Sequence, residues 1–490
     1  MIENLFHAAA LVLTAKVLAA MVCGVLIGYF VGAMPGLTSS IGMALLIPFT
    51  FGLDPIAAIV MLVSIYMASD YAGGIPAILM NAPGQPASAV TAFDGFPMCN
   101  RGESGLALNL AIMASGAGAL VSLVLLVVSA QLMAAAALAF GPAEYFALAI
   151  VGLSLIGVLS AGSTLKALIG LFFGLTVVTI GIDPIRGTER FVLHPYLIDG
   201  IPFLPALIGL FALSEVFVMI ETANDRIDRV RHASSASHSL RTLVPYRRTV
   251  LRSSLIGYFI GVIPGAGASI ASLVSYGVAK KLSREGASFG TGNPEGIIAS
   301  EAANNASVSG ALAPLLSLGI PGSASAAVLI GGLTIQGLQP GPLLFADNPE
   351  IPFSIFVGLL VGLPVMLLIG LFGARLWVQI TRIPRPVIAT VVASICMLGS
   401  YAASNDTFEM MVTAAFGVIG YVLRRCDIHP APVVLALVLG EMLEANLRRA
   451  MILANDDFLS VISHPITAGL ILVSVLVLAS PLFGRKSAMA

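Results

Sequence analysis

Charge is scarce in this chain. Only 10% of its 490 residues are Asp, Glu, Lys or Arg, and 58% are apolar. Soluble domains carry roughly a quarter charged residues. The four cysteines (Cys23, Cys99, Cys396, Cys426) stand at no metal spacing, and the six histidines contain no H-x-x-x-H pair. The cysteines read as buried small hydrophobes, and no metal site is expected. There is no Walker phosphate loop. Gly265-Ala-Gly267 lacks the strand before it and the acid after it that a dinucleotide loop requires. A net charge of -1 gives nucleic acid no electrostatic footing. The N-terminus has no basic stretch and no small-residue cleavage signal, so it reads as leading into a retained first helix.

What the sequence has in excess is apolar length. A single core stops growing well short of this chain length, so the surplus must face lipid. Runs near 9–33, 55–80, 105–130, 143–161, 164–182 and 203–221 read as helical spans. Further segments follow at 253–279, 297–317, 323–337, 353–380, 386–402, 407–423, 430–444 and 465–484. Some are too short or too broken to cross. The expectation is an all-α polytopic membrane protein with about 12 transmembrane helices plus re-entrant or broken helices.

One polar segment interrupts the pattern. Residues 222–252 carry Arg226, Arg229, Arg231, Arg241, Arg247, Arg248 and Arg252, which places them in the cytoplasm by the positive-inside rule. They divide the chain into a first transmembrane half, 1–221, and a second, 253–490. The stretch 253–279 has basic residues at both borders, so a hairpin turning at Pro264-Gly265 suits it better than one tilted span.

The halves repeat each other. Residues 26–41 and 255–270 share ten identities in sixteen positions, including both Pro-Gly pairs, Pro35-Gly36 and Pro264-Gly265. A second pair, Pro83-Gly84 and Pro321-Gly322, follows in the same order. Two ordered matches argue for duplication, most plausibly with inverted topology. Each Pro-Gly breaks a helix, because Pro lacks an N–H and Gly tolerates positive φ. In lipid such breaks persist only where protein or a polar cavity serves the freed backbone groups.

Polar residues gather at the breaks. Thr38 and Ser39 follow the first, Asn81 precedes the second, Ser269 follows the third, and Asn304, Asn305 and Ser323 flank the fourth. Hydroxyls, amides and half-helix N-termini bind a carboxylate without a buried fixed cation. The eight break residues and these neighbours are the expected substrate site, grouped about one polar cavity. Asp70 and Glu301 are intramembrane acids beside the breaks, and such acids default to functional candidates. They are the expected cation-coupling pair, for Na+ or H+. Glu215, Glu441 and Glu444 lie near helix ends or basic residues and read as interface groups.

These motifs resemble a known family. Gly32–Thr38, Tyr71–Pro86 with Asp94-Gly95, Gly261–Gly267, Asn293–Ala306, Leu318–Ser323 and Gly337–Gly341 are similar to the large membrane subunit (TctA family) of tripartite tricarboxylate transporters. The similarity covers essentially the whole length. It departs at Ile75-Pro76, where the family more often has small polar residues. The resemblance implies a secondary transporter that imports tricarboxylates or related organic acids across a bacterial inner membrane. It implies three parts: this permease, a small membrane subunit of about four spans, and a periplasmic substrate-binding protein. Transport would draw on an ion gradient, with no cofactor. The alternatives are a gradient-independent channel and an intramembrane enzyme; the enzyme would need a catalytic constellation that the sequence lacks.

Overall fold

The computed structural model describes residues 2–484 apart from 160–162, 184, 186, 222–235, 381 and 382. The first part of the expected linker, 222–235, therefore lies outside the described residues. Helices dominate. Among the described residues the strands amount to one antiparallel pair, Gly181–Ile182 with Glu189–Arg190. Among the described residues, six helices are long and apolar enough to cross a membrane: Ala15–Gly32, Pro55–Met80, Ser104–Ala137, Phe203–Glu221, Glu350–Gly373 and Thr407–Arg425. Two of the shorter apolar helices, Ser39–Thr50 and Ala324–Ile335, each begin just after a Pro-Gly break.

The helices that position the site are numbered in chain order. In the first half they are α1 (Ala15–Gly32), α2 (Ser39–Thr50), α3 (Pro55–Ala72), α4 (Gly74–Met80), α5 (Ala89–Asn100) and α6 (Ser104–Ala137). In the second they are α7 (Arg247–Val262), α8 (Gly267–Leu282), α9 (Pro294–Leu318), α10 (Ala324–Ile335) and α11 (Glu350–Ile380).

Glycine spacing sets how these helices meet. A Cβ on Gly24, Gly28 or Gly32 would lie 2.5, 2.7 and 2.3 Å from the carbonyl oxygens of Met61, Ile65 and Ser69. The constant register means α1 and α3 run parallel in close contact. In the second half the same geometry recurs: a Cβ on Gly257 or Gly261 would lie 2.3 and 2.5 Å from the carbonyl oxygens of Ala303 and Ser307. Thus α7 and α9 are also parallel. The return arm α8 opposes α9, since Ser272 donates to Ser300 O at 3.2 Å and Ser275 to Ala299 O at 2.9 Å. Consequently α7 and α8 form a helical hairpin turning at Pro264-Gly265, as the basic borders predict. Gly42 of α2 packs on Val31 of α1 across the Pro35-Gly36 turn, the matching hairpin of the first half.

After each hairpin comes a central helix, α3–α4 or α9. Each ends in a left-handed cap, Asn81 (φ 53°) or Gly319 (φ 73°). The N–H groups of Ala82 and Ile320 then bond back to the carbonyls of Pro76 and Pro314, at 3.3 and 3.2 Å. Then the second breaks fold inward. A Cβ on Gly84 would lie 2.2 Å from Gly32 O, and one on Gly322 would lie 2.4 Å from Gly261 O. Only glycine permits either approach.

Candidate functional site

The central helices cross in opposite directions. Asn304 of α9 donates its amide to the main-chain oxygen of Asp70 at 3.1 Å, while Gly74, further along the first half, packs against Glu301, one turn earlier in α9. Two polar clusters flank this crossing.

The first cluster joins α2 to α10. Ser39 Oγ donates to Asp70 Oδ1 at 2.7 Å and lies 2.7 Å from Ser325 Oγ. Ser40 Oγ is 2.9 Å from the same Ser325 hydroxyl. Tyr66 OH and Ser323 Oγ are 2.7 Å apart, and Ser323 Oγ also accepts from Ala326 N at 3.1 Å, capping α10. Thr38 is the N-cap residue of α2. The N-termini of two 12-residue half-helices, each following a Pro-Gly break, therefore share one group of hydroxyls. Their dipoles place partial positive charge there.

The second cluster surrounds Glu301, which is fully buried. Thr91 Oγ1 donates to Glu301 Oε1 at 2.6 Å, and Ser115 Oγ donates to Oε2 at 2.9 Å. Thr91 Oγ1 is also 3.2 Å from Ser300 Oγ. Among the described residues no Lys, Arg or His forms an ion pair with Asp70 or Glu301. Both acids are thus held by neutral donors alone.

The expected site residues divide among several positions. Ser39, Ser323 and Asp70 meet in the first cluster, and Asn304 joins it to the second. Asn305 points elsewhere, into a void between α6, α9 and α11. Asn81 is exposed as a helix cap, and Ser269 sits half-buried in the first turn of α8. Pro83-Gly84 and Pro321-Gly322 seat against the first hairpin and the second respectively. The Pro35-Gly36 turn lies against Glu215: a Cβ on Gly36 (φ 93°) would be 2.8 Å from Glu215 Oε1. Glu215 is buried and forms an ion pair with Arg424.

Sequence reasoning missed Thr91, Ser115, Ser325 and Tyr66, whose single hydroxyls carry no local pattern. It quoted Asp94 only within a motif. The structure makes Asp94 a cross-link between halves. Its Oδ1 accepts from the N–H groups of Gly290, Gly292 and Asn293, each at 2.8 Å, and its Oδ2 accepts from Tyr276 OH at 2.8 Å. Gly290 (φ 89°) and Gly292 (φ 103°) turn the backbone so that the donors converge.

A larger cavity, about 340 Å³, lies away from the breaks, beside the 181–190 strand pair. Arg190 and Glu444 line it, and their ion pair continues behind the wall to Arg448 and Asp183: Arg190–Glu444 2.5 Å, Arg448–Glu444 2.9 Å and Arg448–Asp183 2.7 Å. The hydrogen bond that Arg190 donates to Glu444, outweighing burial, raises the Arg190 pKa above its ordinary value. Glu444 is thus paired with bases, as its sequence position suggested.

Long apolar helices, glycine-mediated contacts and broken helices around buried acids define a multi-pass membrane protein of the transporter class. The chain belongs to the tripartite tricarboxylate transporter TctA family, whose profile matches residues 18–435. It is 35% identical over 453 residues to an uncharacterized 52.8 kDa protein of the TAR-I ttuC' 3' region of Agrobacterium vitis, covering 92% of this chain and 90% of that protein. It is 36% identical over 215 residues to an uncharacterized protein of the TAR-II ttuC' 3' region of the same organism, covering 44% of this chain and 89% of that one. No solved structure matches.

Proposed function

We propose that this chain is the large permease subunit of a binding-protein-dependent secondary transporter in a bacterial inner membrane. It imports tricarboxylates or related organic acids, driven by a gradient of Na+ or H+. Its partners are a small membrane subunit of about four spans and a periplasmic substrate-binding protein. The observation that carries the reading is the first cluster: two half-helix N-termini and five hydroxyl side chains converge beside a buried acid that has no ion-pair partner among the described residues. Such a cluster can hold a carboxylate through neutral donors. A cation or proton taken up at Asp70 and Glu301 offsets the anion's charge where the dielectric is low.

We further infer two repeats of inverted topology. In support, the same glycine-to-carbonyl contacts join α1 to α3 and α7 to α9, while α3 and α9 run antiparallel. Tyr29 OH donates to Met366 O of α11 at 2.7 Å, and its counterpart Tyr258 bonds to Ser129 of α6, so each hairpin rests on the other half's long helix. About 12 crossings follow when the shorter apolar helices complete the long ones. The test is uptake of labelled carboxylates by cells expressing the three parts. Uptake that needs all three and stops when ion gradients collapse fits the proposal; uptake that survives collapse points to a channel.

A further inference from the structure

Asn305 is 1% exposed, and neither its amide oxygen nor its amide nitrogen has a hydrogen-bond partner among the described residues. Leaving such buried groups unserved is costly, so a partner is called for. The side chain lines a void of about 10 Å³ whose other walls include Met67, Ala119, Leu123, Ser309 and Leu359. That is the volume of one water centre. Asn305 and Ser309 supply three polar atoms, within the two to four partners a buried water needs.

The void lies one helical turn from Glu301 along both packed helices. Glu301 to Asn305 is one turn of α9, and Ser115, which donates to Glu301, is one turn of α6 before Ala119. One turn is about 6 Å, a distance a glutamate side chain can close by rotating.

We propose that this void is a water site serving Glu301, and that the ion carried with the substrate is a proton. The inference rests on the transporter reading above and names its coupling ion. A hard cation requires a shell of oxygens. The void offers two side-chain oxygens among carbon walls; around Glu301 the hydroxyls of Thr91 and Ser115 already touch the carboxylate at 2.6 and 2.9 Å and Gly74 packs directly against it, which leaves no gap for a cation between them. A proton needs no such space. In the transfer, a protonated water in the void loses a proton as a new O–H bond forms on a Glu301 carboxylate oxygen. The reverse step returns it toward the aqueous side. The titratable groups facing Glu301 are Asp70 and Tyr71 of α3; Thr91, Ser115 and Asn304 face it as neutral donors.

The experiment uses the complete complex in sodium-free proteoliposomes. An inward proton gradient alone is expected to drive carboxylate accumulation, and a sodium gradient alone is not. Asn305→Leu fills the void and is expected to lower proton-driven uptake about tenfold or more, a change of about 1.4 kcal/mol in barrier. Substrate exchange at equal pH on both sides is expected to persist. Asn305→Ser leaves room for water and is expected to stay within about threefold of wild type. Accumulation driven by sodium but not by protons overturns the inference while leaving the transporter reading intact. So does wild-type proton-driven uptake by Asn305→Leu, or loss of that uptake in a folded Asn305→Ser. If neither gradient moves any carboxylate, the transporter reading itself falls, and this inference with it.

Discussion

Asn304 donates its amide to the main-chain oxygen of Asp70, 234 residues away, at 3.1 Å. That bond pins the second half's central helix to the first half's at the place where both buried acids lie. It is the point at which a charge change in one cluster can be felt in the other.

Glu301→Gln keeps the shape of the side chain and most of its hydrogen-bonding sites but removes the titrating group. Ion-driven uptake is expected to vanish while the protein stays folded and membrane-inserted. The measurement is accumulation per mole of inserted protein. Concentrative uptake at the normal rate by a well-expressed variant would rule out coupling at Glu301 and leave Asp70 as the better candidate.

Asp94→Ala strips three converging backbone N–H groups and Tyr276 of their acceptor. Hydrogen bonds to a charged group contribute about 1.5–3 kcal/mol each, though not additively. The expected loss is about 3–5 kcal/mol, read as a fall in melting temperature in detergent. Asp94→Asn retains one oxygen acceptor and is expected to lose about half as much. An unchanged melting temperature for Asp94→Ala would mean the loop is held by other contacts.

Gly84→Ala would put a methyl group 2.2 Å from Gly32 O, a clash of backbone against backbone that no side-chain rotation relieves. Folded yield is expected to collapse, and Gly322→Ala should behave alike because its Cβ meets Gly261 O. Gly277→Ala is the control. Nothing lies within 4 Å of its Cβ, so it should be neutral or stabilise α8 by about 1 kcal/mol. Size-exclusion profiles of tagged protein separate the outcomes. Equal behaviour of Gly84→Ala and Gly277→Ala would contradict the close approach.

How far the sequence carried this reading depends on the kind of contact. Asp70 and Glu301 stood out because an acid in an apolar run is costly. The 253–279 hairpin was legible because both borders are basic, and α7 and α8 do fold back on each other. Thr91, Ser115 and Ser325 were not legible: one hydroxyl in an apolar helix may face lipid, backbone or a partner, and only packing decides. Glu301, Asn304 and Asn305 stand three and four residues apart, a spacing that groups them on one helix face. In the structure they fan out to Thr91 and Ser115, to Asp70, and to the void, because α9 is enclosed by helices on every side.

Glu215 and Arg424 are predicted to be coupled. Glu215 is buried against the first hairpin turn, and Arg424 is its ion-pair partner. Removing one charge strands the other, which costs about 3–5 kcal/mol when fully buried. Arg424 is partly exposed, so Glu215→Gln is expected to cost about 2 kcal/mol. The double variant Glu215→Gln/Arg424→Gln should recover part of that loss. A strictly additive thermal-unfolding cycle would show that the pair contributes nothing.

The last prediction concerns inversion. Because α1 parallels α3, α7 parallels α9, and α3 opposes α9, the two hairpins point in opposite directions. Their turns, at Pro35-Gly36 and Pro264-Gly265, should therefore enter from opposite faces of the membrane. Thr38 lies just past the first turn, and Gly267 just past the second, where a Cβ meets open space although the backbone is left-handed (φ 58°) and a cysteine strains it. Cysteines placed at these two positions report the side from which each turn is reached. Cys23 and Cys426 are exposed and would react themselves, so all four native cysteines are replaced first. With a membrane-impermeant thiol reagent, the expected result is that opposite-facing states label the two positions from opposite sides. Substrate or an imposed ion gradient should then raise one reactivity as it lowers the other, since alternating access exposes one turn at a time. Labelling of both positions from the same side in every condition would count against inverted repeats and favour parallel ones.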